Sequence, residues 1–318
     1  MRGGGALTPG ITESQGGRAL AALIAGAICI GFAPIFVRLV DVGYTAAALW
    51  RVALALPVLG LAWMGGVGRA PGGPPQGRPS ATAHPGPPAV ARLKWLWLAG
   101  AFFAADLAVW HQSIRFTSVA NSTLLANLAP VFVTAGSVWL FGDRINKRFV
   151  GGLVLALCGS ALLVASSFTI SLQTVGGDVL GMITAVFYAG YLLTVSRQRR
   201  GTSTIELMWW STLACAVVLL PATLATGEVL WPQSARGWAV LAGMALVSQI
   251  AGQGLIAWAM AHLPAAFSSV SLLVQPVTAA VLAWLLLAEP FGALQALGGA
   301  IVLAGIVICR LATVRGGR

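Results

Sequence analysis

The sequence predicts an all-α, polytopic membrane protein with ten transmembrane helices arranged as two inverted five-helix repeats. Three observations lead to this fold class: an apolar composition, ten long apolar runs, and an internal duplication. Of the 318 residues, 58% are hydrophobic and 8% are charged. So few polar residues cannot cover the surface of a soluble fold of this size. We therefore expect the chain to lie in a lipid bilayer.

Each apolar run is long enough to cross about 30 Å of hydrocarbon, which takes about 20 helical residues. The runs are continuously apolar, whereas the strands of a membrane barrel would alternate between apolar and polar residues. The predicted helices cover residues 19–37, 45–64, 95–111, 119–140, 150–166, 177–196, 205–226, 237–261, 266–288 and 292–310.

The duplication relates residues 118–160 to residues 264–306 at a constant offset of 146. The matched residues are prolines, acids and glycines: Pro130 with Pro276, Asp143 with Glu289, Gly152 with Gly298, and Gly159 with Gly305. A fainter match at an offset of 159 relates Trp50 to Trp209. Because five helices per half is an odd number, the second half enters the membrane from the opposite side. The repeats are therefore predicted to be inverted.

Lys and Arg predict the orientation, because cytoplasmic loops near helix ends retain positive charge. With the N-terminus inside, fifteen of these residues fall in cytoplasmic segments, whereas Arg38, Arg115 and Arg236 lie opposite and Arg51 lies within a helix. Both termini, residues 1–18 and 311–318, are thus predicted to be cytoplasmic tails. Residues 65–92 are rich in Gly and Pro, and this composition predicts a flexible cytoplasmic linker.

The duplicated segments resemble the drug/metabolite transporter superfamily, specifically its ten-helix exporters with two EamA repeats. The resemblance is carried by SVANSTLLANLAPVFVTAGSVWLFGDR followed by GGLVLALCGSALLV, and by AAFSSVSLLVQPVTAAVLAWLLLAEP followed by LGGAIVLAGIVI. It implies a first repeat at 19–166, a second at 177–310, and export of small metabolites across a bacterial inner membrane by alternating access. The amino-acid branch, which includes exporters of aromatic amino acids, is our expectation. A multidrug or organic-cation exporter is the alternative.

Polar side chains within apolar helices tend to face the bundle interior or water, and here they predict a shared substrate pathway. Its expected members are Arg51, Asp106, Asn127, Tyr188, Tyr191, Gln249, Gln253, Gln275, Trp50 and Trp110. The alternative is that the uncharged members only join helices through hydrogen bonds, worth under ~2 kcal/mol each. The tryptophans would stack on an apolar substrate or belong to the interfacial belt. Pro130 and Pro276 are expected to kink their helices.

Arg51 and Asp106 are the ionisable residues that stand out within the predicted helices. At a rise of 1.5 Å per residue their depths differ by only about 5 Å, so an ion pair is one prediction. In a transporter, Arg51 would bind a substrate carboxylate, and Asp106 would bind an ammonium group or a coupled proton. The alternatives are a structural pair that never contacts substrate and an Asp106 that burial keeps protonated.

Several function classes are excluded by missing motifs. The chain has no phosphate-binding P-loop, and Cys29, Cys158, Cys215 and Cys309 lie within apolar helices without metal-ligand spacing. A membrane enzyme would need clustered acids, and a nucleic-acid binder would need one basic face. A membrane scaffold explains the number of helices but not the polar stripes. We expect no catalysis, cofactor or metal, and a chain that works as a monomer.

The predicted topology places the 65–92 linker on the cytoplasmic face. Protease added to that face of oriented vesicles should cut the linker, and the fragments can be sized by electrophoresis. Cleavage by protease added to the opposite face would overturn the assignment.

Overall fold

The computed structural model describes residues 13–67, 89–165, 174–198 and 202–315. Within those ranges it contains no strand, and ten helices are long and apolar enough to cross a membrane. The predicted fold class is confirmed. The helices are α1 Ser14–Leu39, α2 Tyr44–Met64, α3 Val90–Phe116, α4 Asn121–Phe141, α5 Lys147–Val164, α6 Val175–Gln198, α7 Thr204–Thr226, α8 Ala235–Ala259, α9 Ala265–Leu287 and α10 Ala293–Thr313. Residues 68–88 of the linker, 1–12 of the first tail and 316–318 of the second tail lie outside the described residues.

The helices extend further than the apolar runs, most clearly in α3. Residues 95–111 were expected there, whereas the continuous helix runs over Ala89–Phe116 and includes Arg92, Lys94 and Arg115. Apolar periodicity marks only the part of a helix that lies in hydrocarbon. Helical hydrogen bonding continues into water, where long basic side chains place their stems along the apolar surface.

α4 and α9 are each interrupted shortly before the duplicated proline. α4 breaks between Val119–Ala126 and Ala129–Phe141, and α9 breaks between Ala265–Ser271 and Val274–Leu287. Pro130 and Pro276 both lie in the first turn of a new half-helix, where a missing N–H leaves no hydrogen bond unmade. The carbonyl of Leu272, four residues before Pro276, accepts a hydrogen bond from the Gln275 N–H at 2.9 Å. It is therefore already occupied within the chain.

α5 and α10 pack at their duplicated glycines. A Cβ added to Gly159 would lie 2.8 Å from the Gly298 carbonyl oxygen, and a Cβ added to Gly298 would lie 2.8 Å from the Gly159 carbonyl oxygen. Gly152 and Gly305 approach each other in the same reciprocal way, at 2.9 and 2.7 Å. Residue numbers rise along one helix as they fall along its partner, so the copies are antiparallel. The two repeats are inverted, as the sequence predicts.

The other helices also pack across the boundary between the two repeats. α3 lies against α6 and α7, while α1 lies against α8 and α9, and α2 contacts both α7 and α8. Most of the buried apolar side chains of these helices form one continuous core. The middle of the bundle is consequently lined by helices of both repeats.

Among the described residues, three ion pairs connect helix ends, and the two residues of each pair lie on the same side of the membrane in the predicted topology. Arg38 contacts Glu289, and Arg115 lies 4.0 Å from Glu228, at the end of the bundle where α1 meets α2. We call this the outer end. Arg92 lies 3.2 Å from Glu206 at the opposite, inner end. The alternation of helix directions agrees with the predicted topology, and the cytoplasmic placement of the inner end stays a prediction.

The glycine contact between α5 and α10 is expected to set the stability of the fold. Replacing Gly159 by Ala forces the two backbones apart and should lower the free energy of unfolding by about 1–3 kcal/mol. Thermal unfolding of the purified protein in detergent measures this change.

Gly151→Ala is the matched control, because a Cβ at Gly151 meets nothing within 4 Å. It should leave stability unchanged or raise it by about 0.5–1 kcal/mol, since alanine favours the helix. Equal melting temperatures for the two variants would contradict the packing described for α5 and α10.

Candidate functional site

Buried polar side chains from both repeats meet in the middle of the bundle. We name this group the central cluster. Its buried members are Arg51 of α2, Asp106 of α3, Tyr191 of α6, Thr212 of α7, and Gln249 and Gln253 of α8, and the half-buried Tyr188 of α6 lies beside them. Burying so many polar groups in an apolar bundle is unfavourable unless they are hydrogen-bonded or serve a function.

Arg51 is the centre of the cluster, with 6% of its surface exposed. Its Nε donates a hydrogen bond to Gln249 Oε1 at 3.1 Å, and Gln249 Nε2 in turn donates to Thr212 Oγ1 at 3.3 Å. The guanidinium carbon lies 5.5 Å from the centre of the Phe103 ring, a cation–π contact. Nη2 is buried and has no hydrogen-bond partner. One strong donor of a buried charge is thus unused.

A π-helix supplies the glutamines. α8 changes from α-helix to π-helix over Met244–Gln253 before it continues as Gly254–Ala259. Close packing surrounds this segment, because a Cβ on Gly26 of α1 would lie 2.8 Å from the Gly252 carbonyl oxygen. π-helical turns are rare and frequently occur at functional sites.

Aromatic rings continue the cluster away from Arg51. The Phe103 and Tyr191 rings stack with centres 4.8 Å apart, and the Tyr188 and Tyr191 rings stack at 6.1 Å. The Tyr191 hydroxyl donates to Gln253 Oε1 at 3.3 Å. Tyr188 lies within hydrogen-bonding range of Gln253 and Gln275.

Asp106 is near Arg51 without being paired to it. The two groups lie within electrostatic range of each other, yet the ion pairs found among the described residues are those of Arg38, Arg92 and Arg115. The ion pair offered as one sequence prediction is therefore not formed in this structure. A guanidinium group and a carboxyl group lie near each other without a direct contact.

Asn127, Trp50 and Trp110 lie outside the central cluster, whereas Gln275 of α9 borders it beside Tyr188. Asn127 donates from Nδ2 to Ser160 Oγ of α5 at 3.3 Å, so it joins two helices. Trp50 donates from Nε1 to the Leu230 carbonyl oxygen at 2.7 Å and packs against other tryptophans at the outer end. Trp110 lies one turn beyond Asp106 on α3. It lines a small outer cleft together with Pro34, Val37, Arg38, Tyr44 and Ile114.

Sequence reasoning missed Phe103 and Thr212. Phe103 precedes Asp106 by three residues and so shares its helix face, a spacing that was available in the sequence. Thr212 carries no comparable signal, because its role depends on contact with Gln249 from another helix. Among the described residues, no group of three or more His, Cys, Asp or Glu side chains could hold a metal ion.

The EamA-like transporter family matches residues 17–165 and 175–311, which together cover most of the chain. The chain belongs to the EamA-like transporter family. A solved structure described only as a crystal structure of a protein covers 93% of this EamA-like transporter and 98% of its own chain, with a TM-score of 0.74 at 16% identity. That likeness concerns the fold.

Two named relatives are exporters. The pseudopaline exporter CntI of Pseudomonas aeruginosa is 27% identical over 212 residues, covering 67% of this chain and 73% of its own. A probable terminal-alkyne amino-acid exporter of Streptantibioticus cattleyicolor is 28% identical over 192 residues, covering 59% and 63%. This EamA-like transporter is accordingly a multi-pass membrane protein that moves a small molecule.

The two tryptophans related by the 159-residue offset should respond differently to replacement. Trp50→Phe removes the hydrogen bond to Leu230 and should lower the free energy of unfolding by about 1 kcal/mol. The buried Nε1 of Trp209 has no partner, so Trp209→Phe should be neutral or stabilising. Thermal unfolding in detergent compares the pair, and a larger loss for Trp209→Phe would contradict the assignment.

Proposed function

We propose that this EamA-like transporter exports small zwitterionic metabolites, in particular amino acids, by alternating access around the central cluster. The observation that carries the proposal is the unpartnered Nη2 of the buried Arg51 guanidinium. A buried donor of this kind is costly when unsatisfied, by about 1–3 kcal/mol or more for a charged group. A substrate carboxylate would satisfy it.

The remaining groups match the other parts of such a substrate. Asp106 would accept the ammonium group, so a zwitterion brings one partner for each buried charge without adding net charge. Gln275, which lies beside Tyr188, would supply a second donor for the carboxylate. Phe103 and the two tyrosines offer an apolar, aromatic surface for the substrate side chain. Gln249, fixed by Thr212, orients the guanidinium through Nε and leaves Nη2 available.

One observation supports export, and a second supports alternating access. The named relatives are both exporters, and the name of the second specifies an amino acid. Inverted repeats of membrane transporters typically bind substrate near the bilayer midplane and exchange conformations between the two access states. We place the protein in a bacterial inner membrane with both termini cytoplasmic, working as a monomer without a cofactor, with repeats at 19–166 and 177–310.

An organic-cation exporter is the second candidate. Asp106 lies near aromatic rings, which is an arrangement that attracts cations. The buried charge of Arg51 opposes this function, because a cationic substrate would add a like charge to an apolar interior. Substrate preference therefore separates the two candidates.

Asp106 is also the group in the cluster best placed to carry a coupled proton. If export exchanges substrate for protons, Asp106→Asn should abolish the pH dependence of transport. If the protein only facilitates diffusion, the pH dependence of the variant and of the parent should be the same. Transport by proteoliposomes over a series of external pH values distinguishes the two forms of coupling.

Counterflow in proteoliposomes tests the proposed function. Vesicles preloaded with an unlabelled amino acid should accumulate the labelled form, and Arg51→Gln should lower the rate about 10- to 100-fold, as expected for a lost charge-assisted contact. Gln249→Leu should also lower it, because Arg51 Nε loses its acceptor.

Arg236→Gln is the matched control, since Arg236 is exposed at the outer end. It should transport at the parent rate. Counterflow of organic cations without counterflow of any amino acid would replace the first candidate by the second.

A further inference from the structure

At the outer end, hydrogen bonds tie the first repeat to the second. The junction between α1 and α2, together with the first turn of α2, is hydrogen-bonded to the segment between α7 and α8 in several places. The Gly43 N–H donates to the Val229 carbonyl at 2.9 Å, and the Ser234 hydroxyl donates to Asp41 Oδ2 at 2.7 Å. The Thr45 N–H and hydroxyl both donate to Glu228 Oε2, at 2.9 and 2.5 Å. These contacts must break before a pathway can open between the two segments.

Glu228 acts as a cap for a helix in the other repeat. Thr45 is the second residue of the helix Tyr44–Ala53, and the N-cap residue Gly43 has no side chain that could cap it. The first N–H groups of a helix lack internal partners and favour negative charge. The Glu228 carboxylate meets both needs from across the repeat boundary, so α2 begins with a satisfied terminus only while the two segments stay together.

Glycines on both segments allow the two segments to approach each other closely. A Cβ added to Gly43 would overlap the side chain of Glu228, and a Cβ added to Gly237 would overlap the carboxylate of Asp41. The hydrogen bond from Ser234 lowers the pKa of the Asp41 carboxyl. That carboxylate therefore remains an acceptor in the contact.

We propose that Glu228 is the latch of the outer gate: its carboxylate caps α2 when the outer end is closed and releases it when the pathway opens outward. The inference rests on alternating access, as in the proposed function, but it concerns the gate and not the substrate. Glu228 is a positioning residue. Its bonds to Thr45 exist only in the closed state, so they set the fraction of protein that is open to the outside. Arg115, 4.0 Å from Glu228 Oε1, is a partner available to the carboxylate after release.

A cysteine placed under the latch reports opening without any substrate. Ala47 has no exposed surface and packs with Val42, Ala46 and Leu241 beneath the closed outer end. In an Ala47→Cys background, a membrane-impermeant thiol reagent added to the outer face should react slowly. Glu228→Ala should raise the labelling rate about tenfold or more, the effect expected when charge-assisted hydrogen bonds of the closed state are lost. The reaction of native cysteines is measured in the parent and subtracted.

Thr45 provides a test from the opposite side of the contact. Thr45→Val removes the hydroxyl donor and should raise labelling in the same direction, whereas Thr45→Ser keeps the hydroxyl and should label at the parent rate. The Glu228→Ala/Thr45→Val double variant should label less than the product of the two single effects predicts, because both changes remove one interaction. Elution as a single folded species in detergent is checked for every variant.

Glu289→Gln is the charge-matched control at the same end of the bundle. It breaks the contact with Arg38. The side chains of Arg38 and Glu289 are 41% and 45% exposed, and exposed ion pairs contribute little to stability. Parent-rate labelling of folded Glu228→Ala and Thr45→Val would overturn the latch. Faster labelling of both variants together with absent amino-acid counterflow would support the latch and remove the proposed substrate.

Discussion

The structure depends most on the burial of one guanidinium group in an apolar bundle. An arginine in the membrane interior is expensive, and proteins retain one when it is paired or functional. Here Arg51 has one amide acceptor through Nε, one aromatic face beneath it, and no partner for Nη2. One local irregularity of the bundle lies directly against this group. α8 becomes a π-helix where it presents Gln249, and Thr212 of α7 holds that amide in place.

The architecture is symmetric, whereas the chemistry is not. The glycine contacts of α5 and α10 are reciprocal, as two inverted copies of one unit require. At the offset that relates Trp50 to Trp209, however, Arg51 corresponds to Trp210. The duplication thus supplies two copies of one helical frame, whereas the buried guanidinium of Arg51 has no counterpart in the second copy. Glu228 likewise forms a contact between the repeats that no duplicated motif predicts.

Sequence alone predicted the helices, the inversion of the repeats and much of the cluster, because each rests on a strong physical signal. Long apolar runs must span a bilayer, and polar residues such as Arg51 and Gln249 must then face inward. Sequence did not predict which inward residues meet. Asn127 has the same polar character as Gln249 but bonds to Ser160 of α5, since neighbours are set by packing between helices. The contact between Thr45 and Glu228 has no local signature, because the two residues are 183 positions apart in the chain.

The most direct test of the account is an experimental structure of the protein bound to an amino acid that it transports. The proposed function predicts that the substrate carboxylate lies within hydrogen-bond distance of Arg51 Nη2 and that the ammonium group lies beside Asp106. A substrate bound elsewhere in the bundle, with Arg51 still bonded only to Gln249, would contradict it and reduce Arg51 to a structural role.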